Sequence, residues 1–123
     1  MAIEGKALLV EDETLVAMIA EELLMSIGYE PVCVDLGAAA LDQLAQGGFN
    51  LAVIDVGLPD MRGDDLAARI RLAHPDLRVV LASGYDESEL RRRFTGDTLV
   101  AVLGKPYTER DLKEAIASIS PPG

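Results

Sequence analysis

Short aliphatic runs alternate five times along this chain with longer stretches whose apolar positions recur every three or four residues. The first run is Ala7-Leu8-Leu9-Val10, which stops at Glu11-Asp12-Glu13. A helix is predicted from Thr14, with Val16, Ile19, Leu23 and Ile27 along one side and Gly28 closing it. Residues 31–36 read as a weaker, edge-like second strand, and residues 38–46 as a small helix ended by Gly47-Gly48. A third strand, Leu51-Ala52-Val53-Ile54, runs into Asp55. A loop with Gly57, Pro59, Asp60 and Gly63 then leads to a helix presenting Leu66, Ile70 and Ala73, stopped by Pro75. The fourth strand, Val79-Val80-Leu81-Ala82, hands over to Ser83-Gly84 and a short, strongly charged helix over residues 86–94. A fifth strand over 99–103 precedes Gly104-Lys105-Pro106. The last helix carries Leu112, Ala115, Ile116 and Ile119, and the chain ends in Pro121-Pro122-Gly123.

Strands that are apolar throughout, separated by helices, imply a parallel sheet covered on both faces. Right-handed crossovers restrict the topology to a few doubly wound orders. Five strand–helix units favour a flavodoxin-like α/β fold: a five-stranded parallel sheet, order 2-1-3-4-5, with five helices. The 123 residues, half of them apolar, suit one domain over 1–123 with its core at about 5–119. A domain of this size buries roughly two thirds of its unfolded surface, so no disulfide is needed.

A formal charge of −10 sets most of the surface against phosphate backbones, so no direct nucleic-acid partner is expected. It also makes carboxylate crowding, and hence cation binding, a natural outcome. The lone Cys33 suits a reducing compartment and, on an apolar strand, is expected to be a buried hydrophobe. No leader pattern opens the sequence, and no apolar run spans a bilayer. A cytoplasmic protein without a membrane partner is expected.

The candidate chemistry lies where the strands end. Strand one ends in Glu11-Asp12, strand three in Asp55, strand four in Ser83, and strand five just before Lys105. In the order 2-1-3-4-5 these tips are neighbours at the carboxyl edge of the sheet, where open α/β sheets place their sites. Two ionised carboxylates about 4–5 Å apart repel by roughly 3–4 kcal/mol at an effective dielectric near 20. One ammonium cannot balance three such groups. A hard divalent cation can, and Mg²⁺ uses one or two carboxylates while keeping water positions for a phosphate. Mg²⁺ and Lys105 together suit a group bearing negative oxygens, with Asp55 as nucleophile in phosphoryl transfer.

The Glu11-Asp12 pair, the LAVIDVGLPDMRG segment around Asp55, and the VVLASGY and LGKPY segments together resemble the receiver domain of two-component response regulators. The likeness runs from Lys6 to about Ile119, and four motifs in order are far more specific than any one. The resemblance implies that Asp55 accepts phosphate from a histidine kinase or histidine phosphotransfer protein, switching contacts with an unidentified output protein. It implies Asp12 as a direct Mg²⁺ ligand, Glu11 acting mostly through water, and the Gly57 carbonyl as a further ligand. Lys105 would pair with a phosphoryl oxygen, Ser83 would move onto the phosphoryl group, and the Lys105-Pro106 bond would be cis. Receivers often carry an aromatic switch residue where this chain has Val102. With Ala82-Ser83-Gly84-Tyr85, it looks like the subgroup lacking that switch. Tyr85 and Gly57 would flank the approach of water to phospho-Asp55.

Plainer readings exist for single residues. Glu11, Asp12 and Glu13 could open a helix, and Ser83 alone reads as a cap or turn hydroxyl. His74 reads as a solvent-facing helix end, Tyr107 as packing on its loop, and Arg91-Arg92-Arg93 as an exposed face or a docking patch. Competing functions are a magnesium phosphohydrolase, a receiver-like module never phosphorylated, and a nucleotide or flavin binder. The first lacks a second acid at position 57, and the last lacks a glycine-rich loop after strand one. An enzyme acting on outside substrates is therefore not expected.

Overall fold

The computed structural model describes residues 4–119. The terminal Pro121-Pro122-Gly123 lies outside the described residues. The elements run β1 (Gly5–Val10), α1 (Thr14–Ile27), β2 (Tyr29–Val34), α2 (Gly37–Ala45), β3 (Leu51–Asp55), α3 (Gly63–Ala73), β4 (Arg78–Ser83), α4 (Glu87–Arg93), β5 (Val100–Gly104) and α5 (Glu109–Ser118). All pairings are parallel, in the expected order β2-β1-β3-β4-β5. Successive strand residues point to opposite faces, so each strand feeds two cores. Leu8, Val10, Ile54 and Leu81 meet α2, α3 and α4 through Ala40, Leu44, Leu66, Ile70 and Leu90. Leu9, Val53 and Val80 meet α1 and α5 through Ala17, Ala20, Leu24, Leu112 and Ile116. Both faces of β3 are buried, which is why its sequence shows no alternation.

Three expectations shift. β2 starts two residues early, because Gly28 (φ 120°) turns the chain straight out of α1 and lets Tyr29 bury its ring. Pro31 is tolerated within it because β2 is an edge strand, where a missing N–H can face outward. The buried side of α1 is Ala17, Ala20 and Leu24 rather than the stripe through Val16 and Ile19. Small alanines let the helix approach the sheet closely, leaving Ile19 53% exposed. Cys33 is exposed, not buried. It pairs with Leu9 on the α1 side of the edge strand and lines a groove with Met18 and Glu21. Partial desolvation of its sulfur in that groove and the neighbouring Glu21 carboxylate push its thiol up to about 11, so it stays protonated at neutral pH.

Candidate functional site

Register brings the predicted residues together. Val10 lies opposite Ile54, so Glu11 follows on one strand as Asp55 follows on the next. Asp55 pairs with Ala82, and Ser83 with Gly104, which places Lys105 one residue beyond the sheet edge. The Lys105 amide then donates to the Ser83 carbonyl at 2.7 Å, fixing where its side chain leaves the backbone. The Lys105-Pro106 peptide is cis.

The Lys105 ammonium donates to Asp55 Oδ1 at 2.7 Å and to Glu11 Oε1 at 2.9 Å. Glu11 and Asp55 are buried while Asp12 is exposed. Glu11, Asp12 and Asp55 each offer an oxygen within 4.8 Å of the others. Burial holds the Glu11 carboxyl above its ordinary 4.5, and Asp55 adds to this, against the lowering effect of Lys105 and the Glu13 amide. Lys105 is held above its ordinary 10.5, its two carboxylate partners outweighing its burial, and is fully charged at neutral pH. Three carboxylate oxygens around a space reached by one ammonium form a donor set that fits a hard divalent cation.

The loop after β3 is pressed against this cluster. Gly63 cannot be replaced: a Cβ there would lie 2.2 Å from the Asp55 carbonyl oxygen. Its amide donates to the Val56 carbonyl at 2.8 Å, and Gly57 forms an antiparallel bridge with Arg62. Gly57 sits beside the carboxylate itself, since a Cβ there would be 3.5 Å from Asp55 Oδ2.

The remaining predicted residues do not join the cluster. Ser83 is buried, and its hydroxyl accepts from the Tyr85 amide at 3.1 Å and donates to the Tyr85 carbonyl, rather than bonding to Asp55. Tyr85 is 69% exposed and Pro106 is exposed. Val102 is half-buried against the α2–α4 core. Tyr107 packs on the α1–α5 core, and burial raises its hydroxyl above the ordinary 10. His74 caps α3, with its amide on the Ile70 carbonyl. Arg91, Arg92 and Arg93 are all exposed, and Arg93 also pairs with Asp64 at 2.6 Å and Asp65 at 2.8 Å.

Two acids have partners that the sequence pattern does not assign. Asp64 is buried between Arg62 and Arg93, and Asp60 accepts from the Gly37 and Ala38 amides. The Asp64–Arg93 and Asp60–α2 partnerships cross between elements, so local spacing carries no sign of them.

A family model for the response regulator receiver domain matches residues 7–117. The chain is 31% identical over 111 residues to the response regulator receiver protein CpdR of Brucella abortus, covering 90% of this chain and 92% of that one. It is 33% identical to part of the sensor kinase CckA of the same organism, spanning only 12% of that protein's length. Among solved structures, a CheY-like receiver domain from Methanospirillum hungatei superposes with a TM-score of 0.82 at 27% identity, over 95% of this chain and 92% of that one. With four motifs on one sheet edge and a family match spanning nearly all of it, the chain belongs to the response regulator receiver domains of two-component signalling.

Proposed function

We propose that this chain is the phosphoacceptor of a two-component phosphorelay, taking a phosphoryl group onto Asp55 from a phosphohistidine and switching protein contacts in consequence. One observation carries the reading: a half-buried ammonium bridges Asp55 and Glu11 while Asp12 lies within reach of the same point. An Asp55 oxygen would bond to phosphorus as the P–N bond breaks, its electron pair leaving with the imidazole. Lys105 is placed to pair with a phosphoryl oxygen, and Ser83 would give up the Tyr85 carbonyl to donate to another. Glu11, Asp12, Asp55 and the Gly57 carbonyl would hold Mg²⁺, which when bound supplies charge neutralisation for the incoming oxygens. Residues 1–123 would act as one receiver unit in the cytoplasm, with no catalysis on outside substrates.

A protein donor fits better than a small molecule alone. Leu15 and Met18, 70% and 56% exposed at the start of α1, adjoin the acidic rim and give a helical donor an apolar surface to lie on. The CckA resemblance supports a sensor kinase or phosphotransfer protein in that role. The test is incubation with Mg²⁺ and acetyl phosphate followed by intact-mass analysis. One added phosphoryl group is expected, lost with EDTA and lost in Asp55→Asn. A wild type that binds Mg²⁺ yet gains no mass would instead mark a receiver-like module that works unphosphorylated.

A further inference from the structure

Helix α2 begins at Gly37 after Leu36, which lends no side-chain cap. Its first two amides are satisfied from elsewhere. Gly37 donates to Asp60 Oδ1 at 2.9 Å and Ala38 to Asp60 Oδ2 at 3.0 Å, so both oxygens of one carboxylate are used by one helix terminus. The next residue, Met61, lies directly on that terminus: a Cβ on Gly37 would be 2.6 Å from its sulfur. Asp60 stands in the same loop as Gly57, which flanks the Asp55 carboxylate and bridges back to Arg62. Leu58 also anchors this loop, by burial in the core. Apolar burial sets depth but is non-directional, whereas paired hydrogen bonds fix how the peptide planes face.

Resting on the phosphoacceptor reading, we infer that Asp60 is a positioning residue: by gripping the amino terminus of α2 it fixes the 56–62 loop, and with it Gly57 beside Asp55, for cation and phosphoryl binding. With its two oxygens on the Gly37 and Ala38 amides, Asp60 would touch neither the cation nor the phosphoryl group. It acts through Leu58 and Pro59, the two residues that separate it from Gly57, and α2 serves as the rigid mount.

A simple helix cap would explain the same hydrogen bonds, and two variants separate the roles. Asp60→Ala removes the grip and the cap together. Adding Leu36→Ser restores a cap from within α2, since residue 36 already has the extended backbone of a capping position (φ −131°, ψ 147°), but it leaves the loop unheld. Mg²⁺ affinity is read by titration calorimetry, and stability by thermal unfolding in EDTA. Asp60→Ala should weaken Mg²⁺ binding about tenfold, the low end for outer residues that orient a metal site. Leu36→Ser/Asp60→Ala should regain the unfolding midpoint while Mg²⁺ binding stays weak. Wild-type Mg²⁺ affinity in Asp60→Ala, or its return in the double variant, overturns the inference. Should Asp60→Ala fail to fold, the double variant against wild type decides alone. A wild type that binds no Mg²⁺ overturns the phosphoacceptor reading, and this inference with it.

Discussion

Glu11 is an acid kept where acids are least at ease, buried beside another carboxylate and partly compensated by Lys105. Its raised pKa means that the folded state favours its neutral form. The stability it contributes is present below 4.5 and is lost as pH rises through its raised folded value. A cation ligand must be ionised, so Mg²⁺ affinity should run the other way, falling as pH is lowered through a midpoint above 4.5. Asp60, Asp64 and Asp97 do not blur this window, because hydrogen bonds hold them below the ordinary 3.8 and their contribution fades only in stronger acid. Calorimetric Mg²⁺ titrations at stepped pH, beside unfolding in EDTA, check both slopes; Mg²⁺ affinity flat down to pH 4.5 would remove Glu11 from the site. Lys105→Met leaves two carboxylates facing each other without their ammonium. A cost of about 2 kcal/mol at pH 7 is expected, below the range for deep ion pairs because the rim is partly wet. Urea denaturation should show that cost shrinking as pH is lowered toward 4.5 and Glu11 takes up a proton.

Strands and helices were largely visible as periodicity because most positions here do what their neighbours dictate. β3 and β4 are buried on both faces, and strands of that kind write short unbroken aliphatic runs bounded by polar residues. Glu11, Asp55 and Lys105 were legible for the same reason, since each follows a strand that the sheet order sets side by side. What the pattern misplaced lies at the edge, where β2 is half-covered and Cys33 looks apolar yet faces the groove beside α1. Partnerships at long separation left no local trace. Arg93 meets Asp64 across 29 residues, and this pair joins the end of α4 to the start of α3. α4 needs it: among its residues only Leu90 is buried, and it starts from Asp86 in the left-handed region (φ 63°) with no side-chain cap. Arg93→Gln should lower global stability by only about 1 kcal/mol, being a partly exposed pair. It should selectively speed hydrogen exchange at the Leu90 and Phe94 amides, which bond to Asp86 and Leu90. Unchanged exchange there would mean that Leu90 alone holds the helix.

Across the whole molecule, the acidic cluster and the larger of the two described hollows lie at opposite ends. The acids, Ser83 and Lys105 lie at the carboxyl ends of the strands, whereas the larger hollow, about 860 Å³, opens at the opposite pole between Tyr29, Phe49, His74 and Arg78. The carboxylate edge carries a smaller hollow of about 380 Å³, lined by Glu11 and Asp12, where like charges crowd. A net charge of −10 makes any salt mildly stabilising through screening, so the specific effect of Mg²⁺ must be read against NaCl at equal ionic strength. Binding to the folded state alone stabilises by RT ln(1 + [L]/Kd), about 1.4 kcal/mol at ten times Kd. For a domain of this size that raises the unfolding midpoint by roughly 5 °C. Asp12→Asn should unfold at a higher temperature than wild type in EDTA, because it removes one of three crowded charges. The same variant should lose the Mg²⁺-specific rise while keeping the NaCl response. The two effects have opposite signs in one substitution, which no general loss of folding reproduces. An Asp12→Asn protein that keeps the full Mg²⁺ increment would place the cation somewhere other than between these three carboxylates.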